Sequence, residues 1–89
     1  MVLRRLEIVN MRGLHARASA KLVETVERFD AGATVRANGE SADGDSIMGL
    51  LMLTAAMGTI IEVETRGPQA EALADAIADL VANRFGEED

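Results

Sequence analysis

The sequence predicts an α+β domain, an open-faced two-layer sandwich with a four-stranded antiparallel sheet and three helices on one face, in the order β-α-β-β-α-β-α. Strand-like segments that alternate apolar and polar residues indicate a sheet with one buried and one wet face. Two longer segments, 16–29 and 69–84, have helical spacing. Asn38-Gly39 lies between two strand-like runs and is typical of a hairpin turn. At 89 residues, the chain 1–89 is expected to form a single domain.

Four strands are predicted. Residues 3–9 place Leu6 and Ile8 on one face, against Arg5 and Glu7 on the other. Residues 58–65 alternate in the same way, with Ile61 and Val63 set against Glu62 and Glu64. The other two strands flank Asn38-Gly39, a dipeptide that accepts the positive φ angles of a type I′ turn.

The first predicted helix, 16–29, has its apolar side chains on one face and its charged side chains on the other. The inward residues are Leu22, Val26 and Phe29, with Ser19 and Val23 beside them, and the solvated ones are Arg17, Lys21, Glu24 and Arg28. Gly32 is expected to end this helix.

Two further helices follow. Ser46 is placed to cap a short helix from Ile47 to about Leu53. The last helix, roughly 69–84, has Pro68 in its first turn and Gly86 as its closing residue. It is expected to bury Leu73, Ile77, Leu80 and Val81 and to expose Glu71, Asp75 and Asp79. The final Glu87-Glu88-Asp89 is expected to be a frayed tail.

The composition excludes several functional classes. The chain has no cysteine, so it has neither disulfides nor a cysteine-ligated metal site. A net charge of −6 and only two aromatic residues argue against nucleic-acid binding. The chain also lacks an unbroken apolar run of about 18 residues and a secretory signal. These features predict a soluble, cytoplasmic protein, and we expect a monomer.

The charge is distributed unevenly. Residues 1–36 carry seven basic and four acidic side chains, whereas residues 37–89 carry two basic and eleven acidic ones. Arg12, Arg17 and Lys21 lie within six residues of His15, the only histidine. A local positive field favours a small anion or an acidic patch on a partner protein. The alternative is that the charged side chains are unevenly distributed over the surface without a binding role.

His15 directly precedes the first predicted helix, so its ring is expected near the unpaired amides of that helix end. Those amides and the helix dipole bind anions, and Arg17 adds a planar set of donors suited to phosphate. A neutral imidazole is nucleophilic, so the arrangement could accept a phosphoryl group on a ring nitrogen. The alternative is a surface histidine that is solvated or caps the helix. A metal site lacks a second ligand, and a hydrolase lacks a nucleophile, because Ser19 is expected to face the core.

The run Ile47–Leu53, "IMGLLML", is apolar around most of a short helix. One interpretation is that part of it is exposed as a methionine-rich surface for several partners. The other is that the helix is simply well buried. For Ser46, the structural interpretation is a helix cap.

"GLHARASAKLV", followed by "DSIMGLLML" and by "GTIIEVETRGP" before the last helix, resembles the HPr family over the whole chain. This is the histidine-containing phosphocarrier family of the bacterial phosphoenolpyruvate-dependent phosphotransferase system. The stretch "IEVETRGPQAEALA" and the acidic end are more similar to its nitrogen-related NPr branch. The resemblance implies the β-α-β-β-α-β-α fold, no cofactor, and a role in transport or regulation.

The resemblance also implies roles for individual residues. His15 would receive a phosphoryl group on Nδ1 from Enzyme I and pass it to an IIA-type protein. Arg17 would stabilise the group, together with the backbone amides of Ala16 and Arg17. Ser46 matches a serine that an HPr kinase/phosphorylase modifies in some bacteria. Partner docking would involve Ile47, Met48, Leu51, Ala20 and Lys21.

Three positions depart from the family pattern. Ala18 replaces a common proline, and we expect a small loss of rigidity without loss of chemistry. Arg12 stands where asparagine is frequent and adds positive charge near His15. Asp45 stands where many relatives have lysine, which weakens the case for the kinase.

Two other classes of function remain open from the sequence. The first is a non-catalytic regulatory module that binds a target through residues 47–51, with phosphorylation at His15 or Ser46 tuning its affinity. The second is a small-ligand-binding α+β domain, which would need a concave apolar pocket that the sequence does not indicate.

Overall fold

A computed structural model describes residues 1–88, and the order of its elements is the predicted one. The strands and helices are β1 Val2–Glu7, α1 Ala16–Glu27, β2 Gly32–Ala37, β3 Glu40–Asp43, α2 Ile47–Met52, β4 Ile60–Arg66 and α3 Ala70–Ala82, followed by a 3₁₀ turn at Arg84–Gly86. The strands form one antiparallel sheet in the order β1-β4-β2-β3. The predicted α+β sandwich is therefore confirmed.

The core lies between one face of the sheet and the helices. The alternation of β2 and β4 buries Val35, Ile61 and Val63 completely. Leu22 of α1 and Ile77 of α3 pack into the same apolar cluster. The outer face of the sheet is polar. There Arg36 on β2 forms ion pairs with Glu62 and Glu64 on β4.

The predicted hairpin is confirmed. Asn38 and Gly39 have φ angles of 53° and 79°, the positive values that a type I′ turn requires at both central positions. The side chain of Asn38 donates to the backbone carbonyl of Leu53 at 2.9 Å. This bond ties the hairpin to the end of α2 and thereby fixes the short helix against the sheet.

Helix ends differ from the predictions by a few residues. Helix α1 ends at Glu27, because Arg28 and Phe29 donate to carbonyls three residues back. Gly32 begins β2 instead of ending the helix. Helix α3 starts at Ala70 after its N-cap Gln69, so Pro68 lies outside the first turn. Within residues 1–88, no helix is both long and apolar enough to span a membrane.

The C-terminal segment corrects two predictions. Helix α3 ends at Ala82, and Gly86 closes the 3₁₀ turn instead of the helix. Phe85 is fully buried, and the side chain of Glu87 is only 12% exposed. The prediction of a frayed tail is therefore wrong for Glu87. Glu88 is exposed as expected, and the remaining tail residue, Asp89, lies outside the described part of the chain.

Candidate functional site

The loop between β1 and α1 places His15 through a close backbone approach at Gly13. Gly13 has a φ of +65°, and a Cβ atom there would lie 2.5 Å from the carbonyl oxygen of Ala55. The same carbonyl accepts a hydrogen bond from the Leu14 amide at 2.9 Å. Since only glycine fits this approach without strain, the residue locks the loop onto the segment after α2.

His15 is the N-cap of α1 by its backbone but not by its side chain. Its carbonyl accepts the first helical hydrogen bond from Ser19 at 2.8 Å, and its backbone is extended. The side chain forms no capping hydrogen bond, so His15 caps the helix with its backbone alone. The amides of Ala16, Arg17 and Ala18 precede that first bond and point out of the helix end. This end is suited to an anion.

The partner of the imidazole is Glu87, 72 residues away. The Glu87 Oε2 atom forms a hydrogen bond with His15 Nε2. The other carboxylate oxygen accepts a bond of 3.0 Å from the side-chain amide of Asn10, which also donates to the Gly13 carbonyl at 2.8 Å. Both acceptors fix the orientation of the Asn10 amide, whose own oxygen is buried without a hydrogen-bond partner among residues 1–88.

Neither Glu87 nor Asn10 was identified from the sequence. Asn10 carries a signal only in retrospect, as a polar residue at the end of an apolar strand segment. For Glu87 no local pattern exists, because its position depends on how the chain turns after α3.

The acidity of Glu87 is consistent with an ionised carboxylate. The hydrogen bond from His15 lowers the pKa of this carboxyl from its ordinary value, although burial opposes the shift. The bond from Asn10 and the positive charge of Arg12 act in the same direction. Glu87 is therefore a hydrogen-bond acceptor near neutral pH.

The surroundings of His15 are less basic than the local sequence predicts. Arg12, Arg17, Glu87 and Glu88 together line a cleft of about 200 Å³. Lys21, expected on the solvated face, donates its ammonium group to the backbone carbonyl of Phe85. The acidic C-terminal half thus contributes two carboxylates beside the two guanidinium groups, and the positive field is partly offset.

The remaining predicted residues of α1 lie as their spacing indicates. Arg17 is exposed in the first turn and lines the cleft beside Glu87. Ala18, at the position of the common proline, is fully buried. Ser19 is also buried, and its hydroxyl donates to the Leu14 carbonyl at 3.3 Å, so it faces the core as predicted. Ala20 is half-buried.

Helix α2 is exposed on one face. Leu50 is fully buried, whereas Ile47 is 40% and Met48 70% exposed, and Leu51 is half-buried. The exposed-helix interpretation is therefore confirmed over the buried one. Sequence reasoning did not name Met52, which is 72% exposed. It lies one turn after Met48, a spacing that could have identified it.

Ser46 caps α2, as predicted. Its Oγ atom accepts a hydrogen bond from the Gly49 amide at 3.0 Å, and the residue is half-buried. Asp45, directly before it, is exposed and lines a separate cleft together with Arg66.

Across residues 1–88, no group of three or more histidine, cysteine or carboxylate side chains could hold a metal ion.

The family model and the curated relatives that match this chain all point to one family. Residues 2–83 match the family model described as "PTS HPr component phosphorylation site". The chain is 45% identical over 87 residues to "Phosphocarrier protein HPr" of Cupriavidus necator, covering 98% of both chains. It is 42% identical over 83 residues to "Phosphocarrier protein NPr" of Escherichia coli, covering 92% of each. These two identities do not separate the branches, so the NPr assignment stays a prediction.

A solved structure agrees over the full length. The crystal structure of HPr-C-His from Thermoanaerobacter tengcongensis superposes with a TM-score of 0.94 at 32% identity and covers 100% of both chains. Since the family model covers most of the chain and the relatives match it nearly end to end, this protein belongs to the HPr family, the phosphocarriers of the bacterial phosphotransferase system.

Proposed function

We propose that this protein accepts a phosphoryl group on Nδ1 of His15 from phosphoenolpyruvate-charged Enzyme I and passes it to an IIA-type protein. The observation that supports this best is the position of His15. The only imidazole of the chain is 24% exposed at the open N-terminal end of α1. The helix amides and dipole stabilise the negative charge that a phosphoryl group brings to that end.

The protein acts as a carrier in this scheme and not as an enzyme. The group is bound covalently and then released, so the chain is a substrate of the proteins on either side of it. Its transfer serves transport or regulation, and we place the reaction in the cytoplasm. The absence of cysteine is compatible with that reducing compartment.

Arg17 is proposed to stabilise the transferred group, together with the amides of Ala16 and Arg17. Its guanidinium lies in the first turn of α1 and lines the cleft next to the residue that contacts the imidazole. A planar guanidinium matches the oxygens of a phosphoryl group and remains charged at any physiological pH. Arg12 lines the same cleft and adds a second positive charge.

Partner proteins are proposed to dock on the exposed face of α2, with Ile47, Met48 and Leu51 as contacts and with Ala20 and Lys21 on α1 beside them. Methionine side chains adapt their shape, which suits one surface to both a donor and an acceptor protein. Helices α1 and α2 are in contact. The amide of Leu14, next to His15, donates to the carbonyl of Ala55 in the segment that follows α2, so the proposed docking helix is also linked to the loop that carries the site histidine.

Ser46 is proposed as a second, regulatory phosphorylation site for an HPr kinase/phosphorylase. Its hydroxyl lies at the edge of the docking face, at the start of α2. A phosphate there would add about two negative charges beside Ile47 and Met48 and would repel acidic partner groups. The exposed Asp45 already places one negative charge next to this position.

A second candidate is a regulatory module whose main activity is binding a target protein through α2. The exposed apolar face favours it, because docking alone would account for that surface. In this scheme phosphorylation of His15 or Ser46 tunes affinity and is not passed on. An affinity measurement with and without phosphate on His15 separates the two, since a pure carrier needs no difference in target binding.

Transfer is tested with radiolabelled phosphoenolpyruvate and Enzyme I. We expect the parent protein to take up label and His15→Ala to take up none; equal labelling of both would contradict the proposal. Arg17→Ala should slow transfer about tenfold to a hundredfold, the effect of losing one charged hydrogen bond. Arg28→Ala removes the same charge from the other end of α1 and is the matched control.

Docking is tested by introducing a charge. Met48→Asp should weaken acceptance from Enzyme I while leaving the fold intact, because the side chain is 70% exposed. Leu3→Asp places the same charge on an exposed apolar position of β1 and should have no effect on transfer. Equal effects of the two substitutions would argue against α2 as the docking surface.

A further inference from the structure

The carboxylate of Glu87 lies on one particular side of the His15 ring. It contacts Nε2, while its second oxygen is bonded to the buried Asn10. Both carboxylate oxygens are thus engaged, and the side chain is only 12% exposed. Such a contact differs from an exposed surface pair, because water competes poorly for either oxygen.

The fold holds Glu87 in this position. Arg84, Phe85 and Gly86 have φ angles of 56°, 54° and 78°, so three successive residues adopt a left-handed backbone. Two of them are not glycine, and a residue with a side chain adopts this conformation only at a cost in free energy. Burial of the Phe85 ring and the bond from Lys21 to the Phe85 carbonyl offset that cost. The result is a tight turn that directs Glu87 back to the start of α1.

On a neutral imidazole, this contact selects between the two tautomers of the ring. A carboxylate has no proton to donate, so its partner nitrogen must carry one. The proton of a neutral His15 ring is therefore on Nε2. The lone pair available for bond formation is then on the other nitrogen, Nδ1.

We propose that Glu87 is a positioning residue that selects the Nε2–H tautomer of His15, so that Nδ1 is the nitrogen that accepts the phosphoryl group. The consequence for phosphoryl transfer rests on the proposed function, whereas the selection of the tautomer does not. During transfer the Nδ1 lone pair forms the bond to phosphorus, while the bond from phosphorus to the donor atom breaks and the donor keeps that electron pair. Nε2 retains its proton, and the positive charge that the ring gains lies against the Glu87 carboxylate.

The tautomer is measured directly by ¹⁵N NMR of the His15 ring at about pH 8.5, where an imidazole is neutral. A hydrogen bond to a charged group should bias the parent protein toward Nε2–H about ten- to a hundredfold. Glu87→Ala should lose that bias and show a mixture of tautomers. Glu88→Ala, which removes the neighbouring exposed carboxylate, should match the parent.

A second measurement uses phosphoramidate, a small phosphoryl donor that needs no partner protein. We expect ³¹P and ¹⁵N spectra to place the phosphoryl group on Nδ1 in the parent and on both nitrogens in Glu87→Ala. Amide spectra check that each variant is folded, and Glu87→Leu, which fills a similar volume without a hydrogen-bond acceptor, serves if the alanine variant is not.

The outcomes separate the two proposals. An unchanged ring spectrum in the folded Glu87 variant, or a phosphoryl group on Nε2 of the parent, would overturn the role of Glu87. Failure of Enzyme I to label a parent protein that shows the Nε2–H tautomer would instead overturn the proposed function and leave the tautomer assignment standing.

Discussion

The substitution Gly13→Ala tests how the loop that carries His15 is held. The added Cβ would lie 2.5 Å from the Ala55 carbonyl oxygen and 2.9 Å from the Ala56 Cα. Real Cβ atoms do not approach other atoms to under 3.0 Å, so one backbone segment must move. The alanine would also have to adopt the φ of +65° found at this position. The substitution therefore combines backbone strain with a clash between two loops.

Three contributions set the expected loss in the free energy of unfolding. A left-handed conformation costs an alanine about 1–2 kcal/mol. Movement of the Ala55 carbonyl also weakens the 2.9 Å bond it accepts from Leu14, which contributes about 1 kcal/mol. Overpacking adds about 1–3 kcal/mol. The sum, about 3–6 kcal/mol, is a large part of the stability of a small protein.

Gly39→Ala is the matched control. Gly39 has a φ of +79°, but nothing lies within 4 Å of the position that a Cβ atom would take, so alanine there carries only the backbone strain. Urea unfolding measures both variants, and with a slope of about 1 kcal/mol per M the control should lose about 1–2 M in midpoint. The urea midpoint of Gly13→Ala should fall by at least about 2 M more than that of the control. Equal midpoints for the two variants would refute the clash.

Three further perturbations test the segments that support the site. Phe85→Ala should cost about 3–5 kcal/mol in urea unfolding, because the ring is fully buried, and a loss under about 1 kcal/mol would show that the turn does not depend on it. Ser46→Ala should cost about 1 kcal/mol through loss of the bond to the Gly49 amide, whereas Ser41→Ala, at an exposed position, should be neutral. The pKa of Glu87 is lower in the folded state than in the unfolded state. Its carboxylate therefore stabilises the fold above the ordinary carboxyl pKa, and this stabilisation is lost as pH falls through the pKa of the folded state. Unfolding midpoints of the parent and of Glu87→Gln should therefore differ near about pH 7 and converge toward about pH 2, and a constant difference would contradict this.

Much of the fold follows from local sequence patterns. The alternation in 58–65 predicted which face of β4 is buried, and Asn38-Gly39 predicted the turn between β2 and β3. These predictions are confirmed because a period of two residues and the φ angles of a tight turn are properties of a few adjacent residues. Helix ends were less accurate. They depend on hydrogen bonds of the last turn and, at Pro68, on which residue provides the cap.

The candidate site likewise combines features of contiguous segments with contacts between distant residues. The sequence alone determined that a single histidine precedes an amphipathic helix with an arginine in its first turn, and it determined the apolar face of α2. These are features of contiguous segments. Only the tertiary structure decided that Glu87 contacts the histidine, that Asn10 holds Glu87, and that Lys21 bonds the turn before it. The reason is that a contact across 72 residues depends on the path of the backbone after α3, which no local pattern of charge or hydrophobicity encodes.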